Sequence, residues 1–221
     1  MKRSAISVML TALLCCTLMA IVDGIIQPGY WVKSAIKIAL FLLIPLFLSR
    51  LDRSLAFREI FRFRRRGFWV ALAMGLGVYG LILGGYYLIS PIFDFSGIAG
   101  NLSQNAGVTK ENFLPISLYI SFVNSFLEEF FFRGFIFTNL GKSMSRPFAY
   151  GFSATVFSLY HVAMMLGWFS PVLFVLILLG LVVGGMVFNY LNTRLETMYG
   201  SWLIHMFANF AINTIGFILM T

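Results

Sequence analysis

The stretch PVLFVLILLGLVVGGMVFNY, residues 171–190, holds 20 residues without a single charged side chain. A helix needs about 20 predominantly apolar residues to cross the hydrocarbon core of a bilayer, so this stretch is long enough to span one. Similar runs occur along the whole chain of 221 residues, of which 60% are hydrophobic and 11% charged. A soluble domain of this size could not bury so much apolar surface. The sequence therefore predicts an all-α fold, a polytopic transmembrane helical bundle.

We predict seven spans and treat residues 1–221 as a single integral-membrane domain. The first 90 residues hold three spans without a polar motif, and residues 116–220 hold four spans that carry the candidate site. The first span is expected to stay in the protein as a helix, because no small-residue cleavage site follows it. The predicted spans are about 5–22, 31–48, 68–89, 116–140, 148–166, 171–190 and 201–220.

The net charge of +8 is concentrated in one loop between the second and third spans. Because cytoplasmic loops of membrane proteins are rich in Lys and Arg, we expect this loop and the N-terminus on the cytoplasmic side. Lys33, Lys37 and Lys110 are then counted as charges of the opposite side. The basic residues do not alternate with aromatic ones as in a nucleic-acid platform, so the expected partner is the lipid bilayer. The loop arginines are Arg50, Arg53, Arg58, Arg62, Arg64, Arg65 and Arg66.

Three of the last four spans carry ionisable side chains, which are costly at membrane depth. They are the carboxylate pair in EEFFFR (128–133), the histidine of FSLYH (157–161) and the histidine of HMFAN (205–209). Such groups are usually paired, line a wet cavity or take part in chemistry. A bundle can bring the three polar faces together, so we predict that the helices enclose a polar cavity within the membrane.

The spacing within these motifs suggests separate roles. Glu129 and Arg133 are four residues apart on a helix and can form an ion pair that supports the site. Glu128 is turned about 100° away around the helix axis and lacks that partner, so we assign it as a general base that activates water. His205 and Asn209 also share a helix face and together can stabilise an oxyanion. Each set has a structural alternative. Glu128, Glu129 and Arg133 can form one ion-pair network, and His205 with Asn209 can form an interhelical hydrogen-bonding pair.

Phe157 and His161 are likewise four residues apart on the predicted fifth helix. The aromatic ring can lie beside the imidazole and orient it, so His161 is a candidate catalytic residue and Phe157 a supporting one. A histidine on an apolar helix can instead be a hydrogen-bonded core residue. His161 and His205 are the only histidines of the chain.

Together the motifs Glu-Glu-x3-Arg, Phe-x3-His and His-x3-Asn, in this order on successive hydrophobic segments, resemble the CPBP family of intramembrane proteases. That family includes the eukaryotic prenyl-protein (CAAX) endopeptidase and bacterial relatives, some associated with bacteriocin processing or self-immunity. The resemblance covers about residues 117–213, roughly the C-terminal half. It implies an endopeptidase that cleaves a membrane-associated protein or peptide, and we expect it in a bacterial cytoplasmic membrane.

The resemblance also implies a division of labour within the site. Glu128 and His161 would activate a water molecule, and His205 and Asn209 would bind the tetrahedral intermediate. The pair Glu129 and Arg133 would hold the geometry of the site.

The sequence allows an alternative mechanism that uses a metal ion and alternative classes of function. Glu128, His161 and His205 can in principle form a His₂Glu zinc site with water as fourth ligand. Glu129 is the only further carboxylate that could orient an imidazole, so a metal-free mechanism without a cofactor is favoured. Buried Glu and His also build proton relays, so a proton-coupled transporter is one alternative function. A catalytically idle relative that acts as an immunity or scaffold protein is another.

Overall fold

The computed structural model describes residues 2–55, 61, 67–95, 97–98, 100 and 107–220. All regular secondary structure in these ranges is helical, which confirms the predicted all-α fold. The α-helices are α1 (Lys2–Ile21), α2 (Tyr30–Ile38), α3 (Ile44–Leu51), α4 (Phe68–Ile89), α5 (Phe113–Tyr119), α6 (Ser125–Glu128), α7 (Thr138–Ser143), α8 (Arg146–Tyr160), α9 (Val162–Met165), α10 (Pro171–Leu195) and α11 (Met198–Met220).

Wider π-helical turns join several of these helices without a break. They cover Val22–Ile26 after α1, Ala39–Leu43 between α2 and α3, Ile120–Asn124 between α5 and α6, and Glu129–Phe137 between α6 and α7. As a result residues 113–143 form one continuous helical stretch, which we call the central helix. Such turns are uncommon and occur often at functional sites.

Five helical ranges of the described chain are long and apolar enough to cross a membrane, so the protein is an integral membrane protein. They correspond to the first, second, third, sixth and seventh predicted spans. The fourth predicted span lies within the central helix. These five ranges are Arg3–Ile26, Tyr30–Leu51, Phe68–Ile89, Pro171–Leu195 and Met198–Met220.

The fifth predicted span, about 148–166, is interrupted at His161, which separates α8 from the short helix α9. Helix α8 has 15 residues and ends at Tyr160. At 1.5 Å per residue it is about 22 Å long, short of the roughly 30 Å hydrocarbon core. His161 therefore follows a helix end inside the bundle instead of continuing a full span.

The central helix is the core of the bundle, because every residue of Glu129–Phe137 is buried. Its phenylalanines contact rings of the neighbouring helices. Phe131 stacks on Phe41 with ring centroids 4.2 Å apart, and Phe132 meets Phe157 edge to face at 5.2 Å. Aromatic pairs in these arrangements add stabilisation beyond the area they bury. The packing thus places Glu128, Glu129 and Arg133 at the most enclosed level of the central helix.

Two glycines allow the outer helices to approach closely. A Cβ at Gly75 of α4 would lie 2.5 Å from the ring of Phe207 on α11, and one at Gly185 of α10 would lie 3.0 Å from Ala154 on α8. Small residues at such crossings let membrane helices pack tightly. These contacts hold α4 on α11 and α10 on α8.

Part of the predicted topology lies outside the described residues. Five of the seven arginines in the loop between the second and third predicted spans are not among them: Arg58, Arg62, Arg64, Arg65 and Arg66.

Candidate functional site

The candidate site lies where the central helix faces α2, the end of α8, and α11. Glu128 is 3% exposed, and Glu129 and Arg133 are fully buried. His205 is also buried, with 6% of its surface exposed. The structure thus brings the polar residues of three predicted motifs into one enclosed cluster.

The two carboxylate oxygens of Glu128 have different neighbours. Oε1 accepts a hydrogen bond from the Asn124 amide at 2.9 Å and lies 3.4 Å from the Lys37 ammonium. Oε2 lies 3.9 Å from Nε2 of His161 and 3.7 Å from Nε2 of His205. Direct hydrogen bonds to nitrogen are shorter, about 2.7–3.2 Å, and a bridging water fits polar groups at the larger spacing. One oxygen is therefore held, while the other faces both imidazoles.

The backbone defines which nitrogen of His161 carries the proton. Nδ1 lies 2.8 Å from the Phe157 carbonyl oxygen, which can only accept, so Nδ1 donates. In the neutral ring Nε2 is then an acceptor. The imidazole also meets the rings of Phe157 and Tyr160 edge to face, each at 4.8 Å between centroids. The four-residue spacing predicted the ring contact with Phe157 but not the contact with its carbonyl.

A carboxylate orients His205 in the same way. Its Nδ1 lies 3.0 Å from Oε1 of Glu129, and its ring stacks on Phe188 with centroids 5.3 Å apart. A carboxylate paired with the far nitrogen of a histidine holds the ring in one orientation. From the sequence Glu129 was paired with Arg133 and named as the only further carboxylate that could orient an imidazole. The structure identifies that imidazole as His205.

Arg133 lies beneath this pair and is fully buried. Its Nη1 is 3.1 Å from Oε1 of Glu129, an ion pair without hydrogen-bond alignment. The guanidinium lies over the rings of Phe157 and Phe188, at 4.2 and 4.9 Å from their centroids. Cation–π contacts of this kind stabilise a desolvated arginine. The ion pair and the two rings together fix the position of Glu129.

Asn209 lies one turn beyond His205 on α11. Its amide donates to the backbone carbonyl of Ile120 on the central helix at 3.2 Å. An amide nitrogen carries two hydrogens, so one remains for another acceptor. Asn209 therefore combines a structural contact with one further hydrogen to donate.

Lys37 and Asn124 are site residues that the sequence analysis did not identify. The sequence analysis counted Lys37 only as a charge of the opposite membrane side, but Lys37 lies on α2, is 8% exposed and reaches Glu128. A lysine within an apolar run is itself a signal, because ionisable residues in spans mark functional sites by default. Asn124 carries a weaker signal, its four-residue spacing from Glu128.

The same cluster can be compared with a zinc centre. Two imidazole nitrogens and one carboxylate oxygen are the donors of a His₂Glu site. Among the described residues, however, no group of three or more His, Cys, Asp or Glu side chains is arranged to hold a metal ion. Lys37 also places a positive charge 3.4 Å from Glu128, and like charges repel. The charge of Lys37 therefore opposes the binding of a second cation at Glu128.

A cavity of about 660 Å³ lies between α4, the start of the central helix and α11. Its lining is mainly apolar, and the side chain of Asn213 donates to the Ser117 carbonyl at 3.1 Å and to the Ser121 hydroxyl at 3.0 Å. Asn213 is eight residues beyond His205 on α11, about 12 Å along the helix. The cavity thus follows the same pair of helices that carries the charged cluster.

A model of the Rce1-like family, type II CAAX prenyl endopeptidases, matches residues 110–211. This match supports the CPBP/CAAX protease family. The matched segment contains Glu128, His161, His205 and Asn209, and the family match indicates a protease that hydrolyses peptide bonds. This confirms the family predicted from the motifs. No curated protein and no solved structure is significantly similar to the chain.

Proposed function

We propose that this Rce1-like protein cleaves a peptide bond of a membrane-associated protein or peptide with water that Glu128 and His161 activate. His205 and Asn209 stabilise the intermediate. The observation that carries the proposal is the convergence at Glu128, where Oε2 lies 3.9 Å from Nε2 of His161 and 3.7 Å from Nε2 of His205. A water between these atoms would be within hydrogen-bond reach of all three.

In the first step this water loses a proton to Oε2 of Glu128 while its second hydrogen is bound by Nε2 of His161. General-base assistance of this kind requires a base within hydrogen-bond distance of the proton that it removes. The water oxygen attacks the carbonyl carbon of the scissile peptide bond, and the carbonyl oxygen becomes an oxyanion. No side chain forms a covalent acyl-enzyme.

In the second step the oxyanion is bound by His205 and Asn209. His205 acts as an imidazolium whose Nδ1 donates to Glu129, 3.0 Å away, and whose Nε2 donates to the oxyanion. Asn209 contributes the amide hydrogen that Ile120 does not accept. Donors held in place before the reaction are the most effective electrostatic stabilisers. The carbon–nitrogen bond then breaks, and Glu128 returns its proton to the leaving amine.

Replacing Asn209 by Ala is expected to lower kcat roughly 10²- to 10³-fold, the usual effect of losing one oxyanion donor. The measurement is steady-state kinetics on the purified enzyme. Asn189→Ala is the matched control, because it removes an interhelical amide contact, from α10 to the Tyr150 carbonyl of α8 at 3.2 Å, and Asn189 does not line the cavity. Equal losses in both variants would show that Asn209 acts in helix packing alone.

We propose that catalysis needs no metal, supported by the Lys37 ammonium beside Glu128. Exhaustive dialysis against a chelator is expected to leave kcat unchanged, with no stoichiometric metal by elemental analysis. Loss of activity that zinc restores would contradict this mechanism.

The family suggests a substrate with a prenylated C-terminal tail, and the cavity of about 660 Å³ can take its apolar chain. An internally quenched farnesylated peptide that ends in a CAAX sequence tests this against its unprenylated counterpart. If only another peptide class is cleaved, comparison of cellular peptides between wild type and Glu128→Gln identifies that class.

We further propose that the N-terminus and the arginine-rich loop face the cytoplasm of a bacterial cell membrane. The excess of basic residues in that loop supports this orientation. Protection of an N-terminal epitope from protease added outside intact spheroplasts tests it.

A further inference from the structure

Lys37 is a buried cation that enters the site from α2, outside the residues 110–211 that match the family model. We propose that Lys37 is a positioning residue that holds Oε1 of Glu128 and thereby turns Oε2 toward the two imidazoles. This role rests on the function proposed above, because it acts through the general base.

Lys37, Asn124 and Glu128 form a closed set of three contacts. The Lys37 ammonium donates to Oδ1 of Asn124 at 2.6 Å and lies 3.4 Å from Oε1 of Glu128. The amide of Asn124 donates to the same Oε1 at 2.9 Å. Since an amide has one acceptor and one donor end, Lys37 on the oxygen fixes which end of Asn124 faces Glu128. The lysine therefore holds the carboxylate both directly and through the amide.

These contacts determine how Oε2 of Glu128, the oxygen proposed to take the proton, is oriented. A carboxylate at the end of a flexible side chain has several orientations, and the cluster offers a competing cation in the buried Arg133. Lys37 and Asn124 occupy Oε1, so Oε2 alone is presented to His161 and His205. The ammonium of Lys37 also lies over the Tyr160 ring, 5.0 Å from its centroid. Without the lysine we expect Glu128 to lose this orientation while the substrate cavity stays intact.

Helix α2 also contains a control residue for substitutions at Lys37. Lys33, one turn before Lys37, pairs with Asp23 at 2.8 Å and makes no contact with Glu128. Removing Lys33 takes the same charge from the same helix and also leaves a buried carboxylate without its cation. It therefore reproduces the loss of stability that follows from breaking a buried ion pair, but leaves the base untouched.

The experiment measures kcat and KM on the farnesylated CAAX peptide for Lys37→Met, Lys37→Arg, Lys33→Met and Glu128→Gln, each confirmed as folded by thermal unfolding and gel filtration. We expect Lys37→Met to lower kcat roughly 10- to 100-fold, the effect of losing a residue that orients a site group, with KM near the wild-type value. Lys37→Arg recovers part of kcat because it restores the charge. Lys33→Met keeps the wild-type kcat. Lys37→Gln, which keeps a donor for Asn124, replaces the Met variant if that variant does not fold.

Thermal unfolding of Lys37→Met, Glu128→Ala and the double variant forms a cycle that tests the contact itself, because each single variant removes it. Interacting residues give non-additive changes, so additive changes would refute the proposal. Wild-type kcat in folded Lys37→Met, with Glu128→Gln inactive, would overturn it and leave the proposed function standing. A wild-type enzyme that cleaves neither the peptide nor any cellular peptide would refute the proposed function and the role of Lys37 with it.

Discussion

Replacing Glu128 by Gln is expected to lower kcat roughly 10²- to 10⁴-fold, the range of contributions from general acid–base catalysis. Glutamine has the same shape, so it can still accept from Lys37 and Asn124, but it cannot take a proton from water. KM is expected to stay near its wild-type value, because no contact to the substrate cavity is lost. Steady-state kinetics on the farnesylated peptide measures the effect.

The matched control is Glu111→Gln, the same substitution at an exposed residue outside the cluster. It is expected to retain wild-type kcat. A Glu128→Gln variant that hydrolyses at the wild-type rate would exclude Glu128 as the base and, with it, the proposed mechanism.

Replacing Arg133 by Met is expected to lower the free energy of unfolding by about 3–5 kcal/mol, the cost of removing one partner of a buried ion pair. Glu129 would keep its negative charge in a fully buried position. It would also lose the cation that lies 3.1 Å from its Oε1. Equilibrium unfolding in detergent micelles measures the change.

Two further variants separate charge from packing. The double variant Glu129→Gln with Arg133→Met removes both charges and is expected to regain part of the lost stability. Arg194→Met removes an arginine at the end of α10 that contacts Tyr190, and is expected to change stability little. A neutral effect of Arg133→Met would contradict the ion pair as a structural element.

The sequence predicts the helices well, because uncharged runs such as 68–89 leave few alternatives to a membrane span. It also predicts the Glu129–Arg133 contact, which follows from helical periodicity alone. The end of α8 was missed, since residues 161–166 are as apolar as a continuing helix and only the packing shows where α8 ends.

Contacts between residues on different helices were harder to predict. In the predicted spans 148–166 and 201–220, His161 lies beyond the middle and His205 near the start, which places them at different depths. Both nevertheless lie within 4 Å of Glu128. The short α8 resolves this, because it ends in the interior. Lys37 was missed for a related reason: no motif links it to Glu128, 91 residues away. Only the packing of α2 on the central helix shows the contact.

The charged central helix has a consequence for how the protein is made. Charged side chains such as Asp, Lys and Arg oppose insertion from the translocon by about 2.5–3.5 kcal/mol each at the middle of a helix. The central helix carries Glu128, Glu129 and Arg133 and is not among the ranges apolar enough to span a membrane. Its contact to His205 comes from α11, which is synthesised after the central helix. We therefore expect the central helix to insert into the membrane together with its neighbouring helices, once α11 has been synthesised, and not on its own.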